Sequence, residues 1–329
     1  MNKVKYNILV TGGAGYIGSH IVLSLCDNGE DVVVLDDLSS GTQNAIDDRA
    51  KFILGSTLNK KDTDTALDGV DVVIHLAAFK AAGESMLYPT KYSQNNIVGT
   101  INLINSMIDQ DVNNFIFSST AAVYGHPEYL PIDENHPLNP INYYGFTKLE
   151  IERILDWYNN LTGLKYAALR YFNAAGYDKE GRINHLEKNP QNLIPIVMEV
   201  ASGFRKKLEV FGNDYDTKDG TCIRDYIHVS DLSEIHIQIL KKIEEAKKSV
   251  ILNCGYGKGV SVKEVVDKFI KISKKKDVSV TILKKRPADI ESSIANNNNL
   301  KNFIKWKPKY NRLYFLIKSC LDWERKLKI

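Results

Sequence analysis

A glycine-rich turn near the start of the chain limits its fold more than any other feature. The segment Val10-Thr-Gly-Gly-Ala-Gly-Tyr-Ile-Gly-Ser19 follows an apolar run that predicts a buried strand, and residues 20–26 after it predict a helix. A strand, a glycine turn and a helix in this order direct backbone N–H groups and the positive end of a helix at a phosphate. A glycine turn can also be only a tight turn, so this pattern needs support from the residues that follow. Its glycines fit two dinucleotide-binding spacings, Gly13-x-Gly15-x-x-Gly18 and Gly12-x-x-Gly15-x-x-Gly18.

A second strand signal ends in a carboxylate. Residues 31–36 form a β-branched apolar run that finishes at Asp36. An acid about 20 residues after the glycines bonds the ribose hydroxyls of an adenosine, and its charge repels a 2′-phosphate. No arginine follows Asp36 directly, because the next residues are Asp37-Leu-Ser-Ser-Gly41. Together the glycines and this acid predict an NAD site rather than an NADP site.

Composition excludes several other classes of function. The 329 residues are 43% hydrophobic and 25% charged, which is typical of a globular chain with one large domain or two smaller ones. The net charge is only +3 and the lysine-rich segments are interrupted, so we expect no nucleic-acid groove. The four cysteines lie far apart without metal-ligand spacing, which predicts free thiols, a reducing compartment and no metal site. No run approaches the ~20 apolar residues of a membrane span, and no leader-like stretch is visible, so we expect a cytoplasmic protein.

The first half of the chain alternates strand and helix signals. Strands are predicted at 51–54, 71–78, 114–118 and 164–172, and helices near 44–48 and at 90–110 and 144–159. This alternation predicts an α/β fold, a doubly wound parallel sheet of the Rossmann type with helices on both faces. We therefore assign residues 1–176 to an NAD-binding domain.

The rhythm changes after Gly176. A loop leads to a predicted helix at 193–202, and shorter strand and helix signals follow without a second glycine pattern. Residues 177–329 are therefore predicted to form mainly a smaller, mixed α/β, substrate-binding cap, while residues from about 227 to 252 could return to the main sheet. The further signals are strands at 208–211, 227–229, 250–253 and 278–283 and helices at 231–247 and 261–273.

The chemistry is predicted to lie where the fifth strand ends. Tyr144 and Lys148 are four residues apart and hence on one face of a helix, although this spacing is also common by chance. A tyrosine ionises near pH 10, and a neighbouring lysine or a positive nicotinamide ring would favour its phenolate as a base. Ser118 and Thr120 lie at the end of the strand, where ligands bind in open parallel sheets, so a hydroxyl there could bond both a substrate oxygen and the phenolate.

With these residues assembled, the chain resembles the nucleotide-sugar epimerases of the extended short-chain dehydrogenase/reductase family. The resemblance runs from about residue 8 to about residue 296. Its more specific stretches are Leu76-Ala-Ala-Phe-Lys-Ala-Ala-Gly-Glu-Ser85, Phe115-Ile-Phe-Ser-Ser-Thr-Ala-Ala-Val-Tyr-Gly125, Leu169-Arg-Tyr-Phe-Asn173, Phe211-Gly-Asn-Asp-Tyr215 and Arg224-Asp-Tyr-Ile-His-Val229.

The resemblance implies an NAD-dependent inversion at C4 of a UDP-hexose through a transient 4-keto sugar. It makes Tyr144 the base, with Thr120 and Lys148 as its catalytic partners, and it implies a homodimer through the helices at 90–110 and 144–159. The apolar faces of those helices could equally cover the sheet. The cofactor-binding residues it implies are Gly12, Gly15, Tyr16, Ile17, Gly18, Asp36, Asp37, Leu38, Ser40, Ser56, Thr57, Leu76, Ala77, Ala78, Lys80, Asn95, Ser118, Tyr144, Lys148 and Phe172.

The resemblance also implies a set of residues for the UDP-sugar. Arginines suit this task because a guanidinium fork matches diphosphate oxygens. The implied substrate-binding residues are Lys80, Thr120, Tyr144, Asn173, Asn192, Leu193, Leu208, Phe211, Arg224, Arg286, Asp289 and Ser293.

Two positions depart from the family pattern. Ser56 stands where the family usually has an acid that bonds adenine, which puts that contact in doubt. Ser293 is small where the family has a tyrosine or a small residue, so we expect UDP-N-acetylglucosamine and UDP-N-acetylgalactosamine to be substrates as well.

Other functions on the same fold remain open at this point. A sugar dehydratase would need an Asp-Glu pair directly after the strand-end hydroxyl, where this chain has Ala121 and Ala122. Uronate epimerases and decarboxylases are alternatives because few residues set sugar selectivity. A non-catalytic NAD-binding module would be expected to lack the tyrosine or the lysine, and both are present.

Overall fold

The computed structural model describes residues 5–184, 192–243, 245, 248–274, 278–286 and 289–327. Within them the strands are β1 (Asn7–Thr11), β2 (Asp31–Asp36), β3 (Lys51–Leu54), β4 (Val72–His75), β5 (Asn114–Thr120), β6 (Lys165–Tyr171), β7 (Asn173–Ala175), β8 (Lys207–Phe211), β9 (Ile223–His228), β10 (Val250–Cys254), β11 (Gly259–Ser261), β12 (Ser279–Leu283) and β13 (Ser292–Ser293). The α-helices are α1 (Tyr16–Asp27), α2 (Lys60–Ala66), α3 (Ala82–Leu87), α4 (Pro89–Tyr92), α5 (Gly99–Asp109), α6 (Tyr143–Thr162), α7 (Leu193–Ser202), α8 (Val229–Ile243), α9 (Val262–Ser273), α10 (Asn298–Ile304) and α11 (Leu313–Leu327).

A seven-stranded parallel sheet forms the centre of the larger unit. Its strand order is β10-β6-β5-β4-β1-β2-β3, so the chain moves outward from β1 to β3 and then crosses to β4 on the other side. Strand β4 is buried along its whole length, as expected of a strand covered by helices on both faces. The predicted doubly wound Rossmann sheet is confirmed. Ligands bind beside the carboxyl ends of such strands where the order reverses, which here lies between β1 and β4.

Two apolar layers hold the helices against this sheet. On one face Ile8 and Val10 pack with α1 and α8, and Leu232 lies in the same cluster. On the other face Leu9 and Phe115 pack with side chains of α5 and α6. Alternate residues of each strand thus pack into the apolar clusters on opposite faces of the sheet. This packing on both faces fixes the position of the carboxyl ends of the strands.

The remaining elements form a smaller unit. Strands β7, β9, β11 and β13 make one short sheet, and β8 and β12 make a second. Helices α7, α9 and α11 bury a common apolar cluster that includes Leu208 and Trp323. Residues of β9 belong to this sheet, whereas α8 packs on α1 and β10 pairs with β6 of the main sheet.

Several predicted elements differ from the observed ones. The helix predicted at 90–110 is observed as one helical run from Pro89 to Asp109, but its middle, Ser93–Val98, is a π-helical turn between α4 and α5. This wider turn places Asn96 where its side chain bonds both backbone groups of Phe79, each at 2.9 Å. The helix predicted near 44–48 is a 3₁₀ turn at Gln43–Ala45. The helix predicted at 231–247 starts earlier, as α8, and residues 244, 246 and 247 lie outside the described residues.

No helix in the described ranges is long and apolar enough to cross a membrane.

Candidate active site

The glycine turn contacts the backbone of two other segments, the residues after β4 and the first turn of α1. Gly12 has φ +74°, and a Cβ there would lie 2.6 Å from the backbone nitrogen of Ala77, just after β4. A Cβ on Gly18 would overlap the carbonyl oxygen of Gly12. Gly15 is the N-cap of α1 without a side-chain cap, and the first turn of the helix carries no acid. The turn therefore leaves the positive end of α1 open to an anion such as a pyrophosphate.

The acid at the end of β2 is built into this turn. Asp36 is 8% exposed, and its carboxylate accepts hydrogen bonds from the amides of Ala14 at 3.0 Å and Leu38 at 2.8 Å. Burial raises the pKa of Asp36, and these two amide bonds oppose that shift. Leu38 has φ +59°, a left-handed conformation that turns its amide back to the carboxylate. A carboxylate with two bonds can still accept ribose hydroxyls.

The residues expected at the adenosine end surround this acid. Asp37 and Ser40 are exposed, and Ser56 and Thr57 follow β3, where the amide of Gly55 bonds the carbonyl of Asp36 at 3.1 Å. The amide of Ser56 donates to a carboxylate oxygen of Asp62, from α2, at 3.0 Å. An acid thus lies beside Ser56 that sequence reasoning missed.

The segment after β4 borders the other end of the cleft. Leu76, Ala77 and Ala78 are half-buried, and the amide of Leu76 bonds the carbonyl of Thr11 at the end of β1 at 3.0 Å. Lys80 is exposed. Asn95 is half-buried and donates to the side chain of Asn96 at 3.2 Å.

Tyr144 and Lys148 meet the end of β5 from the first turns of α6. Lys148 is 3% exposed, and its Nζ lies 3.3 Å from the hydroxyl of Ser118 and 4.7 Å from the centre of the Phe117 ring. Burial lowers the pKa of Lys148 to about 7. Burial raises the pKa of Tyr144 to about 12, while the hydroxyl of Thr120 acts to lower it. The phenol therefore needs an added positive charge before it can serve as a base near neutral pH.

The start of α6 is fixed by residues that sequence reasoning gave no role. Asn142 caps the helix by accepting the amide of Gly145 at 2.8 Å. The fully buried hydroxyl of Ser85 accepts the amide of Tyr144 at 3.0 Å. A Cβ on Gly145 would lie 2.5 Å from the carbonyl oxygen of Ala122, so α6 passes close to the turn after β5. These contacts hold the phenol at the carboxyl edge of the sheet.

The cap places an ion pair beside the expected sugar residues. Arg224 donates to a carboxylate oxygen of Asp289 at 2.7 Å, and Ser293 pairs with Arg224 across β13 and β9. The guanidinium carbon of Arg286 lies 3.8 Å above the Phe211 ring. Arginine fork, carboxylate and aromatic face are groups that suit a nucleoside diphosphate.

The other predicted substrate residues lie in more varied surroundings. The side-chain amide of Asn173 donates to the carbonyl of Asp225 at 3.3 Å. Asn192 is exposed and Leu193 is half-buried at the start of α7, and the residues just before Asn192 lie outside the described ranges. Leu208 is fully buried in the cap core, so its side chain supports the cap from within.

Tyr16 and Phe172 join the two units. Tyr16 is the first residue of α1, and its hydroxyl donates to the carbonyl of Gly176 at 2.5 Å. Ile17 packs against the main core, and Phe172 lies in a small cluster with Leu149 of α6. In the part of the chain that the structure describes, no group of three or more His, Cys, Asp or Glu side chains could hold a metal ion.

Comparison with known proteins points in one direction. The model of the NAD dependent epimerase/dehydratase family matches residues 8–255. A UDP-glucose 4-epimerase of Halalkalibacterium halodurans is 43% identical over 97% of this chain and 96% of that protein. The structure of the Bifidobacterium longum UDP-glucose 4-epimerase with NAD+ and UDP is 35% identical, has a TM-score of 0.92 and is matched over 97% of this chain and 98% of that one. The UDP-Glc/GlcNAc 4-epimerase of Campylobacter jejuni is 40% identical, has a TM-score of 0.84 and is matched over 98% and 99% of the two chains.

Gly18→Ala should weaken NAD binding, because the added methyl group would displace the Gly12 carbonyl and so deform the turn. We expect the dissociation constant to rise at least about tenfold, the effect of roughly 1.4 kcal/mol. Isothermal titration with NAD measures this. Gly83→Ala is the matched control, since no atom lies within 4 Å of a Cβ there. Equal NAD affinity of the two variants would contradict the assigned role of the turn.

Proposed function

Because the chain belongs to the NAD dependent epimerase/dehydratase family, we propose that it interconverts UDP-glucose and UDP-galactose by inverting C4 of the hexose. One observation carries this proposal above the others. Tyr144 faces the Thr120 hydroxyl and Lys148 faces the Ser118 hydroxyl at the end of β5, on the same edge of the parallel sheet as the glycine turn that follows β1. A proton acceptor next to a dinucleotide site is what a reversible oxidation of an alcohol requires.

The glycine turn and Asp36 fit an NAD molecule. The space that Cβ atoms would fill at Gly12 and Gly18 is taken by backbone, which lets the turn present its amides to a pyrophosphate. Asp36 would hold the adenosine ribose, and Lys148 the ribose on the nicotinamide side. When bound, NAD supplies a reversible acceptor for the hydride at C4 of the sugar.

Within the chain, Tyr144 moves the proton. Its phenolate takes the proton of the sugar 4-hydroxyl as the C4–H bond breaks, and the sugar becomes a 4-ketone. The Thr120 hydroxyl, which already bonds the phenol, bonds both oxygens and keeps them in line. The charge of the Lys148 ammonium would favour the phenolate. Once the ketone presents its other face and C4 regains its hydride on that face, Tyr144 returns the proton to the 4-oxygen and the hexose is released as its C4 epimer.

The cap residues must hold the nucleotide while the sugar turns. Arg224 and Arg286 carry charges suited to the diphosphate, and Asp289 orients Arg224. A ligand anchored through its diphosphate can rotate its hexose without leaving the site. This combination favours epimerisation over a net oxidation, in which the keto sugar would be released.

A dehydratase on the same fold is not favoured. Thr120 caps a 3₁₀ turn at Ala121–Val123, whose side chains carry no acid or base. Elimination at C5 and C6 needs a proton donor and acceptor at this place, in addition to the phenol.

The four cysteines are buried and unpaired. Free thiols are the usual state of cysteine in a reducing compartment, which supports a cytoplasmic location.

Tyr144→Phe should lower kcat for UDP-galactose by about 10²- to 10⁴-fold, because it removes the proton acceptor. NAD binding should stay within about twofold, since the phenol oxygen is a minor contact of a ligand held mainly through its phosphates and riboses. A coupled assay that follows UDP-glucose measures the rate. Tyr143→Phe is the matched control, because its phenol bonds Ser93 at 2.7 Å and is not the proposed base. An unchanged rate for Tyr144→Phe would refute the assigned base.

Ser293→Tyr should reduce kcat/KM for UDP-N-acetylgalactosamine at least about tenfold more than for UDP-galactose, because the larger side chain fills the space proposed for the 2-acetamido group. Ser293 is 8% exposed and lies opposite Arg224. Ser292→Tyr is the control, since neighbouring side chains of a strand point to opposite faces. The idea fails if the native protein turns over only the non-acetylated pair and Ser293→Tyr changes neither rate.

A second copy of the chain is the proposed partner of α6. Trp157 is 67% exposed and Leu161 is 76% exposed, one turn apart on this helix. Helix α5 lies beside them, joined by the 2.8 Å hydrogen bond from Tyr158 to Asn105. Exposed apolar side chains one turn apart on a helix are typical of an interface between subunits.

Leu161→Glu should convert a homodimer into a monomer, because it places a charge in the proposed apolar interface. Light scattering after gel filtration measures the mass. Phe204→Glu is the control, since Phe204 is equally exposed, at 74%, in the cap. A native protein that is monomeric at micromolar concentration, or a Leu161→Glu variant that stays dimeric, would contradict this assignment.

A further inference from the structure

A buried ion pair lies one helical turn beyond Lys148 and has no part in the reaction described above. Glu152 of α6 is 3% exposed and Arg170 of β6 is 1% exposed. Arg170 holds the carboxylate as a fork, with Nε at 3.0 Å from one oxygen and Nη2 at 2.6 Å from the other. Burying such a pair often stabilises a fold no better than apolar residues of the same volume. Stability alone therefore does not explain why an ion pair occupies this buried position.

The same carboxylate joins α6 to the middle residue of the strand-end triplet. The hydroxyl of Ser119 donates to Oε1 of Glu152. The residues on either side of it, Ser118 and Thr120, face Lys148 and Tyr144. The bond between Glu152 and Ser119 therefore sets the position of α6 along β5 where the two catalytic side chains meet their hydroxyl partners.

Arg170 extends this hydrogen-bond network from α6 across the sheet. Its Nη1 donates to the hydroxyl of Tyr124 at 2.9 Å, and that hydroxyl donates to the side chain of Asn253 at 2.7 Å. Tyr124 is 1% exposed and Asn253 is fully buried. The catalytic helix is thus linked through one polar network to β5, β6 and β10.

Glu152 is also the carboxylate whose charge acts on Lys148 in the described structure. Burial lowers the pKa of Lys148, and the negative charge of Glu152 opposes this shift. The titratable groups near the pair come from several elements. The charge of Glu152 acts on Lys148 of α6 and on Tyr166 of β6, and Arg170 bonds Tyr124 after β5. Asp156 of α6 also acts on Tyr166, and His75 of β4 faces Lys148. Tyr144 faces Tyr92 of α4 and Tyr171 of β6.

We propose that Glu152, held by Arg170, is a positioning residue that keeps the Lys148 ammonium charged and seats Tyr144 against Thr120. The Lys148 charge then favours the phenolate. This role rests on the proposed function, in which Tyr144 is the base. Glu152 follows Lys148 by four residues, as Lys148 follows Tyr144, so the three residues lie along one face of α6.

The test is the titration of Tyr144 in proteins that lack the buried carboxylate. Glu152→Gln keeps the volume and a partner for Ser119 but leaves Arg170 buried without a counter-charge, which lowers stability. The double variant Glu152→Gln/Arg170→Met removes both charges, so it is the protein to compare once its thermal unfolding matches the native protein's. The phenolate absorbance of each protein with NAD, minus that of its Tyr144→Phe version, isolates Tyr144.

We expect the Tyr144 titration of Glu152→Gln and of the double variant to move upward by roughly one pH unit, and the acid limb of kcat to move with it. Glu150→Gln is the matched control, on the same helix but in an exposed pair with Arg153 at 2.6 Å, and should not shift. A double variant or a folded single variant that titrates like the native protein would overturn the proposal. An equal shift in Glu150→Gln would overturn it too, by showing an effect of net charge alone. The absorbance needs no turnover, so a native protein without epimerase activity would refute the proposed function and leave this test intact.

Discussion

The arrangement of the site depends on a lysine ammonium that is buried at the edge of the sheet and forms no direct ion pair with any described residue. Lys148 contacts the hydroxyl of Ser118 and the face of the Phe117 ring. A hydroxyl and an aromatic ring compensate only part of the lost hydration, so the pKa of the ammonium falls to about 7. Its charge is then sensitive to its surroundings, because charges in a buried site are screened only weakly.

The parallel sheet explains why these groups meet. Strands β1, β4 and β5 end at Thr11, His75 and Thr120, on one edge of the sheet. The loop after each of these strands therefore lies at the same cleft. These loops are the glycine turn, the segment 76–80 and the turn after Thr120. The cap reaches this cleft through β7, which follows β6 directly and pairs with β9. One edge of one sheet therefore holds both the residues proposed for the cofactor and the approach to the residues proposed for the sugar.

Much of this could be predicted from the sequence, because the signals are local. The glycine turn, the acid at the end of β2 and the four-residue step from Tyr144 to Lys148 are short patterns with a direct geometric meaning. Long apolar runs such as 114–118 mark buried strands for the same reason, and the observed strand extends only two residues further.

The rest depends on contacts between distant residues. Asn96 ties its helix to Phe79 through a π-helical turn that periodicity does not reveal. Ser85 finds the amide of Tyr144 only once α3 is folded beside α6. The cap strands β7 and β13 have three and two residues, so their pairing with β9 defines them more than any pattern of their own. Asp62 reaches Ser56 for the same reason, through the fold of α2 after β3.

The central claim is that hydrogen leaves C4 of the sugar and returns to the same carbon within one closed site. UDP-galactose labelled with deuterium at C4 tests it most directly, with the product examined by mass spectrometry and NMR. The account predicts UDP-glucose that keeps the deuterium at C4, formed without added NADH. Loss of the label to water would show that C4 exchanges with solvent, and it would contradict the account.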